Sequence, residues 1–209
     1  GEFNTGFRLS FYIRMLFSCL VDADFIDTET FMDGALAPRG NYDALPALLD
    51  RLETYIAPWY PPKTELNRKR CAILDACKAS GSTAAPGVYT LTVPTGGGKT
   101  TAAMAFALTA AVRNCMSRVI YAAPYTSIID QNADTFEKIF GTENVIEHHS
   151  SAEYLFSESP NPAEYRKMLA AENWDAPVIA TTTVQLFESL FASKPAAASC
   201  TTSPTACSS

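Results

Sequence analysis

The sequence predicts an α/β fold with a parallel sheet, and three observations carry that reading. Beyond Val88, short β-branched or apolar runs alternate with segments of helical periodicity. A glycine loop, Thr95-Gly96-Gly97-Gly98-Lys99-Thr100, stands between one such run and one such segment. The run Pro177 to Ala180 is apolar throughout, as befits a strand covered on both faces rather than one.

Taken in chain order, Phe11 to Val21 reads as a buried helix leading into Asp22-Ala23-Asp24. That run is interrupted by Arg14, falls well short of the ~20 apolar residues a membrane span needs, and has no signal-peptide layout. Between Asp27 and Tyr42 the pattern loosens around Gly34, Pro38 and Gly40, which reads as a linker. Leu45, Leu48, Leu49, Leu52, Tyr55 and Ile56 recur at helical spacing, and Pro58, Pro61 and Pro62 stop that helix. A second helix is predicted over Glu65 to Ala79, turn residues over Gly81 to Gly87, and a strand over Val88 to Val93.

After the glycine loop the pattern predicts a helix over Lys99 to Arg113, a strand over Arg118 to Ala122 and a helix over Ser127 to Phe140 closed by Gly141. A short strand near Val145, a helix over Pro162 to Ala171, the strand Pro177 to Ala180 and a helix over Val184 to Ala192 complete the alternation. Past Lys194 the composition turns to Pro, Ala, Ser, Cys and Thr without charge or periodicity.

The 209 residues are 47% hydrophobic and 18% charged, which suits a packed core and excludes wholesale disorder. A net charge of -6 excludes a uniformly basic coat, so any nucleic-acid contact has to be local. The densest basic run, Lys63 with Arg68, Lys69 and Arg70, reads first as a solvated helix face. The six cysteines form no CxxC pair and no histidine stands at metal-ligand spacing from them, which fits a reduced, cytoplasmic chain with no membrane partner.

The glycine loop has the chemistry of a phosphate cradle. Gly96, Gly97 and Gly98 free the backbone to point its N–H groups inward, where Cβ atoms would interfere. Lys99 can set its ammonium beside the β- and γ-phosphates of ATP, and the Thr100 hydroxyl is suited to ligate Mg²⁺. Thr95 and Thr101 flank these groups, and the following helix adds its positive dipole end. The eight-residue Walker pattern asks for glycine where Val93 stands, so the assignment rests on the strand–loop–helix setting. His148 and His149 are adjacent, and on a strand adjacent side chains face opposite ways. They therefore do not chelate one ion, and the pair reads as one packed and one exposed imidazole.

Pro94 to Thr100 resembles motif I of superfamily 2 helicases, in which the first Walker glycine is often replaced. Tyr121 to Gln131 resembles motif Ia and Ala180 to Gln185 the Ib region. The resemblance implies an incomplete RecA-like domain whose Pro124, Tyr125, Thr126, Ser127, Gln131, Thr181, Thr182, Thr183 and Gln185 grip the backbone of single-stranded DNA. For Thr and Ser at these positions, helix N-capping is an equal reading. Asn67 and Arg68 are candidates for reading the adenine.

With Leu91-Thr92-Val93-Pro94, Glu147-His148-His149-Ser150 and Glu172 to Val178, most of residues 8 to 194 is similar to the helicase-nucleases of type I CRISPR interference, the type I-C form above all. That similarity implies an enzyme recruited by an RNA-guided surveillance complex to unwind and degrade invading DNA. It further implies that residues 1–33 are the α-helical remnant of an HD nuclease domain and 34–62 a connecting segment with its helix. Residues 63–194 are then the front of helicase domain 1, and 195–209 an aberrant, disordered tail, for which a frameshift near Lys194 is the expected origin.

Leu20 to Glu29 is similar to the last conserved segment of that nuclease, which implies Asp24, and after it Asp22, as a ligand of the divalent transition metal of the intact parent. The upstream histidines of such a site are absent, as are the helicase's acidic motif and second RecA-like domain. The chain is thus expected to bind nucleotide without efficient turnover. The alternatives are a different phosphate-loop ATPase or kinase, or an inert truncated product.

Overall fold

The computed structural model describes residues 2–33, 42–149, 174 and 176–191. The expected helix at Pro162 to Ala171, residues 34–41 of the expected linker and the tail from 195 onward lie outside them. The described elements are α1 (Glu2–Asp33), α2 (Leu45–Ile56), a 3₁₀ turn (Ala57–Trp59), α3 (Glu65–Thr83), α4 (Lys99–Arg113), β1 (Val119–Ala123), α5 (Thr126–Phe140), β2 (Val145–His148) and β3 (Val178–Thr182). The last, here α6, spans Thr183–Phe191.

The three strands form a wholly parallel sheet in the order β1-β3-β2, so the last strand in sequence is the central one. Val178 stands level with Val119 on one side and Val145 on the other. Both edges of β3 are paired and both faces covered, and Val178, Ile179, Ala180 and Thr181 are all fully buried. An unbroken apolar run suits that place because neither face meets water.

Side chains of successive strand residues point to opposite faces. Val119, Tyr121, Ala123, Val178, Ala180 and Val145 accordingly meet α2, α4 and α5 through Leu48, Leu52, Ala105, Leu108, Ile129, Phe136 and Phe140. Ile120 and Ile179 face the other way, onto Trp174 and Leu186 of α6. The segment around α2, expected to connect, sends Leu45, Leu48, Leu52 and Ile56 into this same main core.

α3 and α4 pack closely, and Gly81 explains how. A Cβ there would lie 2.8 Å from the Phe106 carbonyl oxygen and 3.0 Å from Thr109 Cβ. The residue expected to open a turn is therefore a helical contact glycine, and α3 runs on to Thr83. The Thr64 hydroxyl starts this helix by accepting the Asn67 N–H at 3.2 Å.

Two further expectations are corrected. Val88 to Val93 forms no strand, and Val88 is 98% exposed. β-branched composition favours a strand only where a neighbouring edge accepts its ladder, and among the described residues this segment pairs with none. Only its ends are held, Tyr89 against Phe106 and Val93 in the interior. The helix around Phe11 to Val21 forms, but it is not buried: Tyr12, Leu16, Phe17 and Leu20 are each at least half exposed, and Met15 alone among its described apolar residues is buried. Helical periodicity places apolar residues on one face and does not supply the surface that would cover them.

Asn144 locks the corner between α5 and β2. Its side chain is fully buried, accepts the Asp43 N–H at 2.8 Å, and donates to the Phe140 carbonyl and the Asp43 carboxylate at 2.9 Å each. Its own carbonyl accepts the N–H of Val178 at 3.1 Å, tying the corner to the central strand. Asn144→Ala leaves several of these groups without partners, so it should destabilise the fold by about 1–3 kcal/mol in urea unfolding. An unchanged midpoint would show that the corner is not structurally important.

Candidate functional site

The glycine loop is a tight turn leading straight into α4. The Gly97 N–H donates to the Pro94 carbonyl at 3.0 Å, with Gly96 between them at φ +80°, the type II arrangement that needs glycine at its third position. Gly98, at φ +78° and ψ +29°, caps α4 from the left-handed region and accepts the N–H of Ala102 at 3.0 Å. The backbone N–H groups of the first turn that follows are therefore aimed out of the helix end.

Gly97 is required for a different reason. It is buried, and a Cβ on it would lie 2.5 Å from Val93 Cγ1 and 3.0 Å from the Pro94 carbonyl oxygen. Val93, which breaks the strict Walker spacing, thus packs beneath the loop. Lys99 is exposed, with its ammonium free to meet an anion from solvent.

A cleft of about 580 Å³ opens beside the loop, walled by Trp59, Pro61 and Leu74 and edged by Asn67, Arg70, Gly96 and Gly98. Its size and mixed lining suit a planar heterocycle carried on a polyphosphate. Asn67 reaches this cleft and Arg68 does not. Arg70 was missed by the reading of its basic run as a solvated face: its Nε donates to the Gly96 carbonyl at 2.8 Å and clasps the loop. Lys69 does behave as the sequence suggests, pairing with Glu65 one turn back.

The Tyr121 hydroxyl accepts Asn132 Nδ2 of α5 at 3.0 Å and faces Thr100 of α4. Burial pushes its pKa up, and Thr100 only partly offsets that. Tyr121 is held as a neutral phenol.

The Ia-like and Ib-like segments follow β1 and β3 at their carboxyl ends, where open α/β sheets present their binding crevice. Pro124, Tyr125, Ser127 and Gln131 are exposed and Thr126 is half-buried. In the Ib-like segment the chain departs from expectation. Thr181 is fully buried with its hydroxyl donating to the His148 carbonyl at 2.7 Å, and Gln185 is 93% buried within α6. Inward-facing strand and helix positions account for the burial of both. Thr182 accepts the N–H of Gln185 at 3.2 Å, which is the capping role, and Thr183 remains half-exposed. Asp24 falls within α1, and its side chain lies outside the described residues.

A loop, cleft and strand ends arranged in this way agree with the comparison to known proteins, in which the DEAD/DEAH box helicase family matches residues 72–202. This chain belongs to that family. Its fold is therefore RecA-like, and its family uses ATP with Mg²⁺. The chain is also similar to the CRISPR-associated nuclease/helicase Cas3 of Haloferax volcanii, at 33% identity over 177 residues. The match covers 68% of this chain but 19% of that protein, so the chain spans about a fifth of its relative's length. Among the described residues no helix is long and apolar enough to cross a membrane.

The two histidines point to opposite faces, as their adjacency requires, yet both are buried. His148 Nδ1 accepts the Trp174 indole N–H at 3.3 Å on one face. On the other, His149 Nε2 lies 2.6 Å from Glu147 Oε1 and 3.2 Å from Asp130 Oδ1. The exposed imidazole expected from the sequence is instead closed in by the carboxylate of Glu147, two residues back in β2, and by that of Asp130 on α5. The Glu-x-His spacing was the legible half of this cluster, and Asp130 could be found only from the fold.

Gly97→Ala tests the loop's packing. Its Cβ clash with Val93 and the backbone should lower stability by about 1–3 kcal/mol. Lys99→Ala, at an exposed position, should leave the thermal midpoint unchanged. Equal midpoints for both variants would show that the loop is not packed as described.

Proposed function

We propose that this helicase-family chain binds Mg-ATP with Thr95 to Thr101 and couples that site to a grip on single-stranded DNA. The observation that carries the reading is the preformed loop: glycines at positive φ on either side of a buried glycine, opening directly onto a helix N-terminus. Lys99 would neutralise the β- and γ-phosphates, and the Thr100 hydroxyl would ligate Mg²⁺. The adenine would lie in the cleft between Trp59 and the loop, with Asn67 at its edge. Bound there, ATP supplies the phosphoanhydride whose hydrolysis drives such motors, and this chain's part is to hold and orient it.

Exposed Pro124, Tyr125, Thr126, Ser127 and Gln131, with Thr182 and Thr183, would follow the sugar-phosphate backbone without reading bases. Thr181 and Gln185 would position that segment from within. Tyr121 faces Thr100 of α4 and bonds Asn132 of α5, so a change at Thr100 has a direct path to the DNA-facing helix. Similarity to Cas3 supports a parent that acts as a helicase and nuclease in CRISPR defence, recruited by an RNA-guided complex. In that reading residues 1–33 are the HD-domain remnant, with Asp24 toward its metal, 34–62 connect, and 63–194 form the front of helicase domain 1.

Calorimetric titration of Mg-ATP should show one site in the wild type and at least about tenfold weaker binding in Lys99→Ala, equivalent to about 1.4 kcal/mol. Equal affinities would exclude the loop as the phosphate site. Single-stranded DNA should bind with affinity that falls steeply with salt. Salt-independent binding would remove the backbone grip.

A further inference from the structure

We propose that Asp130, Glu147 and His149 form a binding site for a divalent first-row transition-metal ion, separate from the phosphate loop. One ligand atom from each lies within 4.8 Å of the other two. The convergence is built by the fold. Val145 and Glu147 share one face of β2 by strand alternation, His149 follows directly on the strand's end, and α5 packs on that face with Asp130 in its second turn.

The spacing fits coordination. Metal–ligand bonds of ~2.0–2.1 Å put neighbouring ligand atoms roughly 2.8–3.4 Å apart in octahedral or tetrahedral geometry. His149 Nε2 stands 2.6 Å from Glu147 and 3.2 Å from Asp130, so small rotations of the carboxylates bring all three onto one ion. An imidazole with two carboxylates is a nitrogen-and-oxygen donor set suited to Mn²⁺, Co²⁺ or Zn²⁺.

The charge arrangement also favours a cation. Two acidic side chains converge on one imidazole in a partly enclosed place. His149 is 5% exposed and Glu147 33%, while Asp130 is 60% exposed, so the site is anchored inside and open to solvent on one side.

Mn²⁺ is the probe, because it binds weakly to the chain's thiols. Titrated into the chain without nucleotide and followed by the electron paramagnetic resonance of free Mn²⁺, it should bind at one site and raise the thermal midpoint. Asp130→Asn changes an exposed residue and leaves the fold intact, and it should weaken binding by about tenfold or more, since even loss of an outer-shell partner costs about 10–100-fold. His149→Gln should abolish binding, and acidification should weaken it in the wild type as the ligands protonate. No Mn²⁺ binding by the wild type, or undiminished binding in folded Asp130→Asn, overturns the proposal. Either result leaves the nucleotide reading untouched, because Lys99 and Thr100 take no part.

Discussion

The pairing of β3 on both edges is the constraint on which the rest of the molecule depends. β1 and β2 do not touch each other; each is aligned only through Val178 to Thr182. A strand in that place cannot carry exposed polar side chains on either face, and its side chains reach both core layers, Val178 and Ala180 toward α4 and α5, Ile179 toward Trp174. Because all three strands run the same way, their carboxyl ends collect on one side. The three segments with chemistry to offer, Pro124 to Ser127, His149 and Thr182 with Thr183, all follow those ends.

The loop depends on the same packing from the other side of α4. Leu108 and Ala105 fix that helix in the core, and its first turn then fixes where the Lys99 and Thr100 side chains begin. Arg70 holds the loop from α3, and Val93 fills the space that a side chain on Gly97 would need. A rigid cradle of this kind lowers the cost of binding, because the N–H groups need little reordering when phosphate arrives.

Local chemistry was legible in the sequence where local forces decide the outcome. The span of α4 from Lys99 to Arg113 followed from the glycine stop and the apolar periodicity. The end of α5 at Gly141 followed from a glycine that can adopt φ +89°. The reading failed where the deciding partner is distant in sequence. Val88 to Val93 has the composition of a strand and lacks a neighbouring edge, and Gly81 looks like a turn residue until Phe106 and Thr109 pack against it. At the site, the glycines and Lys99 were readable from spacing alone. Arg70 was not, because its role depends on α3 lying across the loop, and neither was the meeting of Asp130 with His149, which only the packing of α5 on β2 creates.

Backbone amide chemical shifts of Gly96 to Thr101, followed by NMR as Mg-ADP is added, test the central claim most directly, since the claim is that these N–H groups cradle phosphate. The account predicts large shifts at Gly97, Gly98, Lys99 and Thr100, with smaller ones at Asn67 and Trp59 along the cleft. Nucleotide-dependent shifts confined to other parts of the chain, with the loop amides unmoved, would contradict it.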